Sequence, residues 1–90
     1  MKDKQNVRPS PIAGTWYPAN PIHLQETVDR YIETAILPDL PGEVVALVVP
    51  HAGYRYSGAV AGHAFKSIKG RHFDFVTVIS PMHQYLPQPI

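Results

Sequence analysis

Two mostly apolar, β-branched runs dominate the pattern of the chain, and each leads to a histidine. Residues 43–49 and 73–79 lack a regular polar alternation, which predicts strands buried on both faces, as in a parallel sheet. Pro50 directly follows the first run, and His51 comes next. Ser80 and Pro81 follow the second run, and one residue separates Pro81 from His83. The pattern therefore predicts two strands that each place an imidazole at the carboxyl end.

An amphipathic helix is predicted before the first strand. Asn20 followed by Pro21 is typical of a helix start, because the asparagine oxygen caps a free backbone N–H and proline lacks one. Apolar residues then recur at helical spacing, with charged and polar residues on the opposite face. We expect this helix to run from about Pro21 to Ile36, where Pro38 and the pair Pro41-Gly42 end it and turn the chain.

A second helix is predicted between the two strands. Ser57 suits an N-cap and Gly70 suits the residue that closes a helix, so we expect a helix from Gly58 to about Lys69. Its small residues would allow close packing against a sheet. Strand, helix and strand form one right-handed βαβ unit with parallel strands, so the predicted fold class is α/β.

Length and composition favour one small domain. The chain has 90 residues, which is the size of a single domain. Residues 1–10 are polar and predict a disordered arm, because they bury too little to offset their ordering entropy. Residues 84–90 contain two prolines and no periodicity, which predicts an irregular tail. The folded part is therefore expected to span 11–83.

Charge and cysteine content exclude several kinds of partner and site. Eight Lys and Arg against seven Asp and Glu leave a formal net charge of +1, so nucleic acid is not an expected partner. The lack of cysteine excludes disulfides and cysteine nucleophiles. No apolar run approaches the roughly 20 residues of a membrane span, and no signal-like stretch follows the charged start. We expect a cytoplasmic protein that does not contact a membrane.

The two strand-end histidines carry the candidate chemistry. Open α/β sheets bind ligands at the carboxyl ends of their strands. Because neighbouring strands lie about 4.8 Å apart, His51 and His83 can converge on a metal ion at about 2.1 Å from each nitrogen. The alternatives are a buried His51 bonded to a turn carbonyl and a surface His83 in the tail. The residues alone leave both interpretations open.

Two other kinds of site are disfavoured. Gly53 and Gly58 have the spacing of a P-loop, but Ala59 and Val60 stand where Lys and Ser or Thr are required. Ser57 lacks the G-x-S-x-G setting of a hydrolase nucleophile. A nucleotide site and a hydrolase triad are therefore not predicted, although a small anion above Gly58 stays open.

Three motifs in the chain together resemble one known family. They are IAGTWYP at 12–18, PHAGYRYSG around His51, and VTVISPMH ending at His83. In this order they resemble the N-terminal portion of the Memo family, also named AmmeMemoRadiSam system protein B. The resemblance implies an α/β sandwich related to class III extradiol dioxygenases.

The same resemblance implies a site and its partners. His51 and His83 would be metal ligands, and Trp16, Tyr54 and Tyr56 would line the pocket. The implied metal is iron or copper, and zinc also suits two neutral imidazoles. A non-haem redox or dioxygenase-like role follows, with the reaction unsettled. Radical-SAM proteins and AMMECR1-domain proteins are the implied partners.

The chain departs from the family in two respects. Ser80 and Met82 replace the glycine and the hydroxyl residue before the second histidine, and methionine cannot orient a ligand by a strong hydrogen bond. Family members are also longer, and their third metal ligand lies in a C-terminal part. We therefore expect the chain to be inactive alone, with its strands completed by the rest of the fold or by self-association.

A second class of function is a non-catalytic binding or scaffold module. The HAGYRYSG turn and Trp16 would then form its interaction surface, since aromatic residues with a neighbouring arginine, here Arg55, are typical of interfaces. For Trp16 the simpler alternative is a plug at the edge of the core.

Overall fold

Two helices make up the regular structure. The computed structural model describes residues 6–81 and 83, in which α1 spans Pro21–Thr34 and α2 spans Tyr54–Lys66. Residues 1–5 of the predicted arm, Met82 and the predicted tail 84–90 lie outside the described residues. Neither helix is long and apolar enough to cross a membrane.

The first helix begins where the sequence predicts. The Asn20 side chain accepts a hydrogen bond from a first-turn backbone N–H at 3.0 Å, and Pro21 occupies the first helical position. The helix ends at Thr34 and not at the predicted Ile36, because Ala35 adopts an extended conformation with a ψ of 139°. The capping residues thus correctly predict where α1 starts. The end of α1 is in contact with α2, which the local sequence does not indicate.

That contact is made by a lysine of α2. Lys66 Nζ donates hydrogen bonds to the carbonyl oxygens of Ala35 at 2.6 Å and Glu33 at 3.2 Å. The last carbonyls of a helix lack intrahelical partners and carry partial negative charge. The ammonium group therefore stabilises the end of α1 and holds it against the end of α2.

The second helix begins earlier than predicted. It starts at Tyr54 after the N-cap Gly53, so the prediction of a start at Gly58 with Ser57 as N-cap is wrong. Ser57 is buried within the helix, and its hydroxyl bonds to Ala52 in the preceding turn. A serine whose hydroxyl points back to the turn does not cap the helix.

The end of α2 follows the prediction in part. The helix ends at Lys66, and the following residues continue in turns held by backbone bonds between residues three apart. Gly70 has a φ of +81°, a left-handed conformation that glycine adopts at low cost. Gly70 therefore closes this region, as expected from its position.

The helices pack through two glycines of α2. A Cβ atom built on Gly58 would lie 2.6 Å from Cε2 of the Tyr31 ring, and one built on Gly62 would lie 2.5 Å from the Tyr31 carbonyl oxygen. Both glycines are buried. These two small residues thus allow close approach to α1, and packing of α2 against a sheet stays a prediction.

The predicted strands do not form a hydrogen-bonded ladder within the described residues. Residues 43–49 and 73–79 carry no strand assignment, and Val48 and Phe75 are 98% and 93% exposed. A strand is defined by its bonds to a neighbour, and two isolated strands are marginal in water. The βαβ unit and the extradiol-dioxygenase-like sandwich therefore stay predictions.

The starts of the two apolar segments are nevertheless linked. Arg71 donates one hydrogen bond to the Val44 carbonyl oxygen at 2.8 Å and another to the Glu43 carboxylate at 3.0 Å. The guanidinium group of Arg71 also lies over the ring of Phe73, 5.0 Å from its centroid. These contacts keep the segment after α2 beside the segment before it.

Candidate functional site

His51 and His83 lie beside each other. His51 belongs to the turn before α2, and His83 follows the second apolar segment. The centroids of their imidazole rings are 5.3 Å apart, and the ring planes are inclined by 30°. Both residues are exposed to solvent. The structure thus brings together the two histidines that the sequence indicates.

The donor set at this place consists of two ring nitrogens. A neutral imidazole offers one nitrogen lone pair to a metal ion, so this pair can supply two of the three or four protein ligands of a typical site. Within residues 6–81 and 83, no three His, Cys, Asp or Glu side chains are grouped closely enough to hold a metal ion. The described part of the chain therefore provides a pair of donors and not a three-ligand site.

Another histidine of α2 has a different role. His63 is exposed, and its Nδ1 lies 2.7 Å from the carbonyl oxygen of Ala59 in the same helix. This ring nitrogen is thus engaged with the backbone of α2.

The turn that carries His51 is held from two directions. On one side, Ser57 Oγ accepts from the Ala52 N–H at 3.1 Å and donates to the Ala52 carbonyl at 3.0 Å. On the other side, the Tyr54 N–H donates to the carbonyl oxygen of Trp16 at 2.8 Å. The backbone between the first apolar segment and α2 is therefore tied both to the helix and to the N-terminal segment.

The IAGTWYP motif forms a compact turn that positions Trp16. The Gly14 N–H donates to the Tyr17 carbonyl at 2.7 Å, and the Trp16 N–H donates to the Ile12 carbonyl at 3.0 Å. Gly14 has a φ of +92°, which residues with a Cβ rarely adopt. The glycine of the motif therefore permits the turn that directs the Trp16 carbonyl to α2.

An apolar cavity of about 610 Å³ adjoins His51. It lies between α1, α2 and the IAGTWYP turn, and its lining includes Trp16 and Tyr54. Trp16 is 46% exposed, and both roles considered for it, a pocket wall and a plug at the edge of the core, stay predictions. Of the three predicted pocket residues, two are thus at the cavity that His51 touches.

The third predicted pocket residue is placed differently. Tyr56 is 80% exposed and is not among the residues that line this cavity. Tyr17 takes a place in the lining instead, with its ring centroid 5.5 Å from that of Tyr54 and the planes inclined by 36°. The Tyr31 hydroxyl donates to the Tyr54 carbonyl at 3.1 Å. A pocket role for Tyr56 stays a prediction.

A second cavity, of about 480 Å³, also reaches His51. It is lined by the two apolar segments and the residues that directly follow them, together with Phe65 and Ile68. His51 lines both cavities. The imidazole therefore stands at the junction of the aromatic cavity and the gap between the predicted strands.

Two contributors to the site were missed in the sequence. Ser57 was assigned to a helix cap because its residue type suits one, and no local pattern indicates a bond back to Ala52. Tyr31 lies in α1, and no local pattern around it indicates its contact with α2. The signal that could have indicated it is the spacing of Gly58 and Gly62, which puts two residues without side chains on one helix face.

Comparison with known proteins identifies relatives over most of the chain. The family model described as Memo-like protein matches residues 8–90. The chain is 31% identical over 83 residues to Protein MEMO1 of Danio rerio, a match that covers 92% of this chain and 27% of the relative. It is 34% identical over 79 residues to the Protein memo-1 homolog of Caenorhabditis elegans, covering 88% and 22%.

A third relative is likewise matched over most of this chain but over only part of its own length. The chain is 33% identical over 91 residues to a MEMO1 family protein of Pyrobaculum arsenaticum, a match that covers 93% of this chain and 32% of the relative. The chain thus spans only 22–32% of the length of these curated relatives. No solved structure gives a significant match.

Proposed function

This chain belongs to the Memo-like protein family, and on that premise we propose that it forms the N-terminal part of a metal-binding domain in which His51 and His83 are two of the ligands. The observation that carries the proposal is the 5.3 Å separation of the two imidazole rings. The rings come from opposite ends of the segment that contains α2. Their proximity therefore depends on the fold and not on closeness in sequence.

The donor set suits a borderline transition metal. Two neutral imidazoles with further positions left for other ligands fit Fe(II), copper or zinc better than Mg²⁺ or Ca²⁺, which prefer oxygen. When bound, such an ion would supply the Lewis-acid or redox chemistry of a non-haem, dioxygenase-like protein. A third protein ligand is expected from polypeptide beyond the described residues.

The chain's own residues would hold the ion and bound the space beside it. His51 and His83 would bind through one ring nitrogen each, while Trp16 and Tyr54 would form the wall of the adjoining cavity. An apolar wall reduces access of water and favours a small molecule with an apolar or aromatic part. The polar end of that molecule would then face the imidazoles.

The apolar segments indicate what completes the domain. Val45 and Ile79 are both 92% exposed, and exposed apolar strands are a template for further pairing. We assign this covering role to further polypeptide of the same fold, because the matches cover only 22–32% of these curated relatives. Gel filtration with light scattering tests this assignment. A chain that stays monomeric without aggregating would contradict it, and a defined dimer would replace it by self-association.

The metal proposal is tested by single histidine substitutions in the chain. Zn(II), Cu(II) and anaerobic Fe(II) are titrated by calorimetry against the original chain, His51→Ala, His83→Ala and the matched control His72→Ala, since His72 is also exposed. We expect His51→Ala and His83→Ala each to bind metal at least about tenfold more weakly. Loss of an outer-shell partner alone costs about 10- to 100-fold in metal affinity, and loss of a direct ligand should cost no less. The control should stay within about twofold.

Unchanged affinity in both His51→Ala and His83→Ala would refute the metal site. It would favour the second candidate, a binding module, for which the specific observation is the exposure of Tyr56 and Trp16 near α2. Exposed aromatic residues are enriched at interfaces. Such a module predicts partner binding that survives EDTA, whereas loss of binding on EDTA treatment supports the metal.

A further inference from the structure

We propose that Ser57 is a positioning residue for His51, holding in place the point at which the imidazole side chain leaves the turn before α2. The inference rests on the proposed role of His51 as a metal ligand. It is carried by the contacts of the Ser57 hydroxyl, which reach the residue next to His51 from inside the helix.

The hydroxyl makes two hydrogen bonds to one residue of the turn. Ser57 Oγ accepts from the Ala52 N–H at 3.1 Å and donates to the Ala52 carbonyl oxygen at 3.0 Å. Ser57 is only 8% exposed, so water competes little for these groups. The hydroxyl thus acts as both donor and acceptor, which a serine oxygen permits.

These two bonds fix both peptide planes that flank Ala52. The Ala52 N–H lies in the planar peptide unit shared with His51, and the Ala52 carbonyl lies in the unit shared with Gly53. Holding both planes restricts both backbone angles of Ala52 and fixes His51 Cα, which lies in the first plane, relative to α2. The point from which the His51 side chain leaves the backbone is thereby held in place.

The choice of partner distinguishes Ser57 from an ordinary helix serine. A serine inside a helix commonly bonds to a carbonyl three or four residues earlier in the same helix. For Ser57 the equivalent oxygen, that of Gly53, is at 3.5 Å, longer than the bond to Ala52. Ser67 shows the ordinary behaviour, because its hydroxyl donates to the Ala64 carbonyl at 2.6 Å. Ser67 is therefore a matched control.

The turn is also tied by a bond that no side-chain substitution removes. The Tyr54 N–H donates to the Trp16 carbonyl at 2.8 Å, which holds the start of α2 on the IAGTWYP turn. Substitution of Ser57 therefore loosens the part of the turn next to His51 and leaves the anchor at Tyr54. We expect a change in the orientation of the imidazole and not a loss of the helix.

The test compares Ser57→Ala with Ser67→Ala in the whole chain. Alanine has a higher helix propensity than serine, so α2 is retained in both variants, which circular dichroism at 222 nm verifies. In the metal-free chain, the Ala52 amide should exchange its hydrogen at least about tenfold faster in Ser57→Ala, because a lost hydrogen bond frees this group. In Ser67→Ala its exchange should be unchanged.

Metal titration then gives the functional readout. For Ser57→Ala we expect affinity for Zn(II) to fall by about 10- to 100-fold, as for other outer-shell partners, and the visible spectrum of bound Co(II) to shift. Ser57→Thr, which keeps the oxygen, should restore the spectrum. A purely structural role would leave the Co(II) spectrum of Ser57→Ala like that of Ser67→Ala.

Three results would overturn the proposal in distinguishable ways. If His51→Ala abolishes Zn(II) binding while Ser57→Ala behaves like Ser67→Ala, positioning is refuted and the metal site stands. If His51→Ala leaves binding unchanged, the metal proposal fails, and the positioning role fails with it. If Ser57→Thr gives the same altered Co(II) spectrum as Ser57→Ala, the hydroxyl is not the cause.

Discussion

Alanine substitution at the two glycines that face α1 tests the packing on which the site depends. A Cβ atom on Gly62 would meet the Tyr31 carbonyl oxygen at 2.5 Å and its carbon at 2.7 Å. A Cβ atom on Gly58 would meet ring atoms of the same tyrosine, the nearest at 2.6 Å. The first clash is with backbone and the second with a side chain, so the two variants should respond differently to a change at Tyr31.

The expected magnitude is the difference between two opposing effects. Alanine is favoured over glycine inside a helix by about 1 kcal/mol, while overpacking a close contact costs about 1–3 kcal/mol. Ordinary carbon contacts lie at about 3.5–4.0 Å, so Gly62→Ala requires the helices to separate by about 1 Å. We therefore place the overpacking penalty of Gly62→Ala near the upper end of its range. After the gain in helix propensity is subtracted, the free energy of unfolding should fall by about 1–2 kcal/mol.

Urea denaturation followed at 222 nm measures this effect at one fixed protein concentration. With an m-value of about 1 kcal/mol/M for a small protein, the midpoint for Gly62→Ala should fall by about 1–2 M. Gly42→Ala is the control, because no atom lies within 4 Å of its added Cβ, and its effect should stay within about 0.5 kcal/mol.

The Tyr31→Ala background separates the two glycines. There Gly58→Ala should raise stability by up to about 1 kcal/mol, because the ring is gone and only helix propensity remains. Gly62→Ala should still lower it, because alanine at position 31 keeps the backbone atoms that clash. Stabilisation by Gly62→Ala in the original chain, or equal rescue of both glycine variants, would refute the close approach of the helices.

Two further substitutions test the ends of α1. Asn20→Ala removes the cap bond at 3.0 Å and should lower the free energy of unfolding by about 1 kcal/mol. Asn20→Asp keeps a capping oxygen and should retain most of this stabilisation. An equal loss of stability in both variants would exclude the cap. Lys66→Met removes the ammonium bonds to Ala35 and Glu33 and should cost about 1–2 kcal/mol, with Lys69→Met as the exposed control. The stability of all these variants is measured by the same urea midpoint. Equal midpoints for Lys66→Met and Lys69→Met would contradict the role of Lys66 in holding the two helices together.

The start of α1 and the start of α2 show how far local signals extend. Asn20 and Pro21 predicted the first start correctly, since a cap acts within one turn of helix. At α2 the same kind of signal, Ser57, pointed to the wrong residue. Its hydroxyl is bonded to Ala52, and a residue type that can cap a helix can equally bond to a turn outside it.

The apolar segments show a different limit. Their composition predicted strands over 43–49 and 73–79, yet a ladder requires neighbours that supply backbone donors and acceptors. Within the described residues these segments are adjacent to a cavity and to α2 but carry no ladder. The α/β fold class therefore stays a prediction about the larger domain.

The sequence by itself determined the family, the two helices in outline, and the pair of histidines as the candidate chemistry. These features depend on motifs, caps and periodicity that lie within a few neighbouring residues. Only the tertiary structure decided that the rings of His51 and His83 lie 5.3 Å apart, that Tyr56 is 80% exposed, and that the Ser57 hydroxyl bonds to Ala52. Each of these depends on how the chain is placed in space, which local motifs do not specify. The close packing of Gly58 and Gly62 on Tyr31 is one such contact between segments distant in sequence.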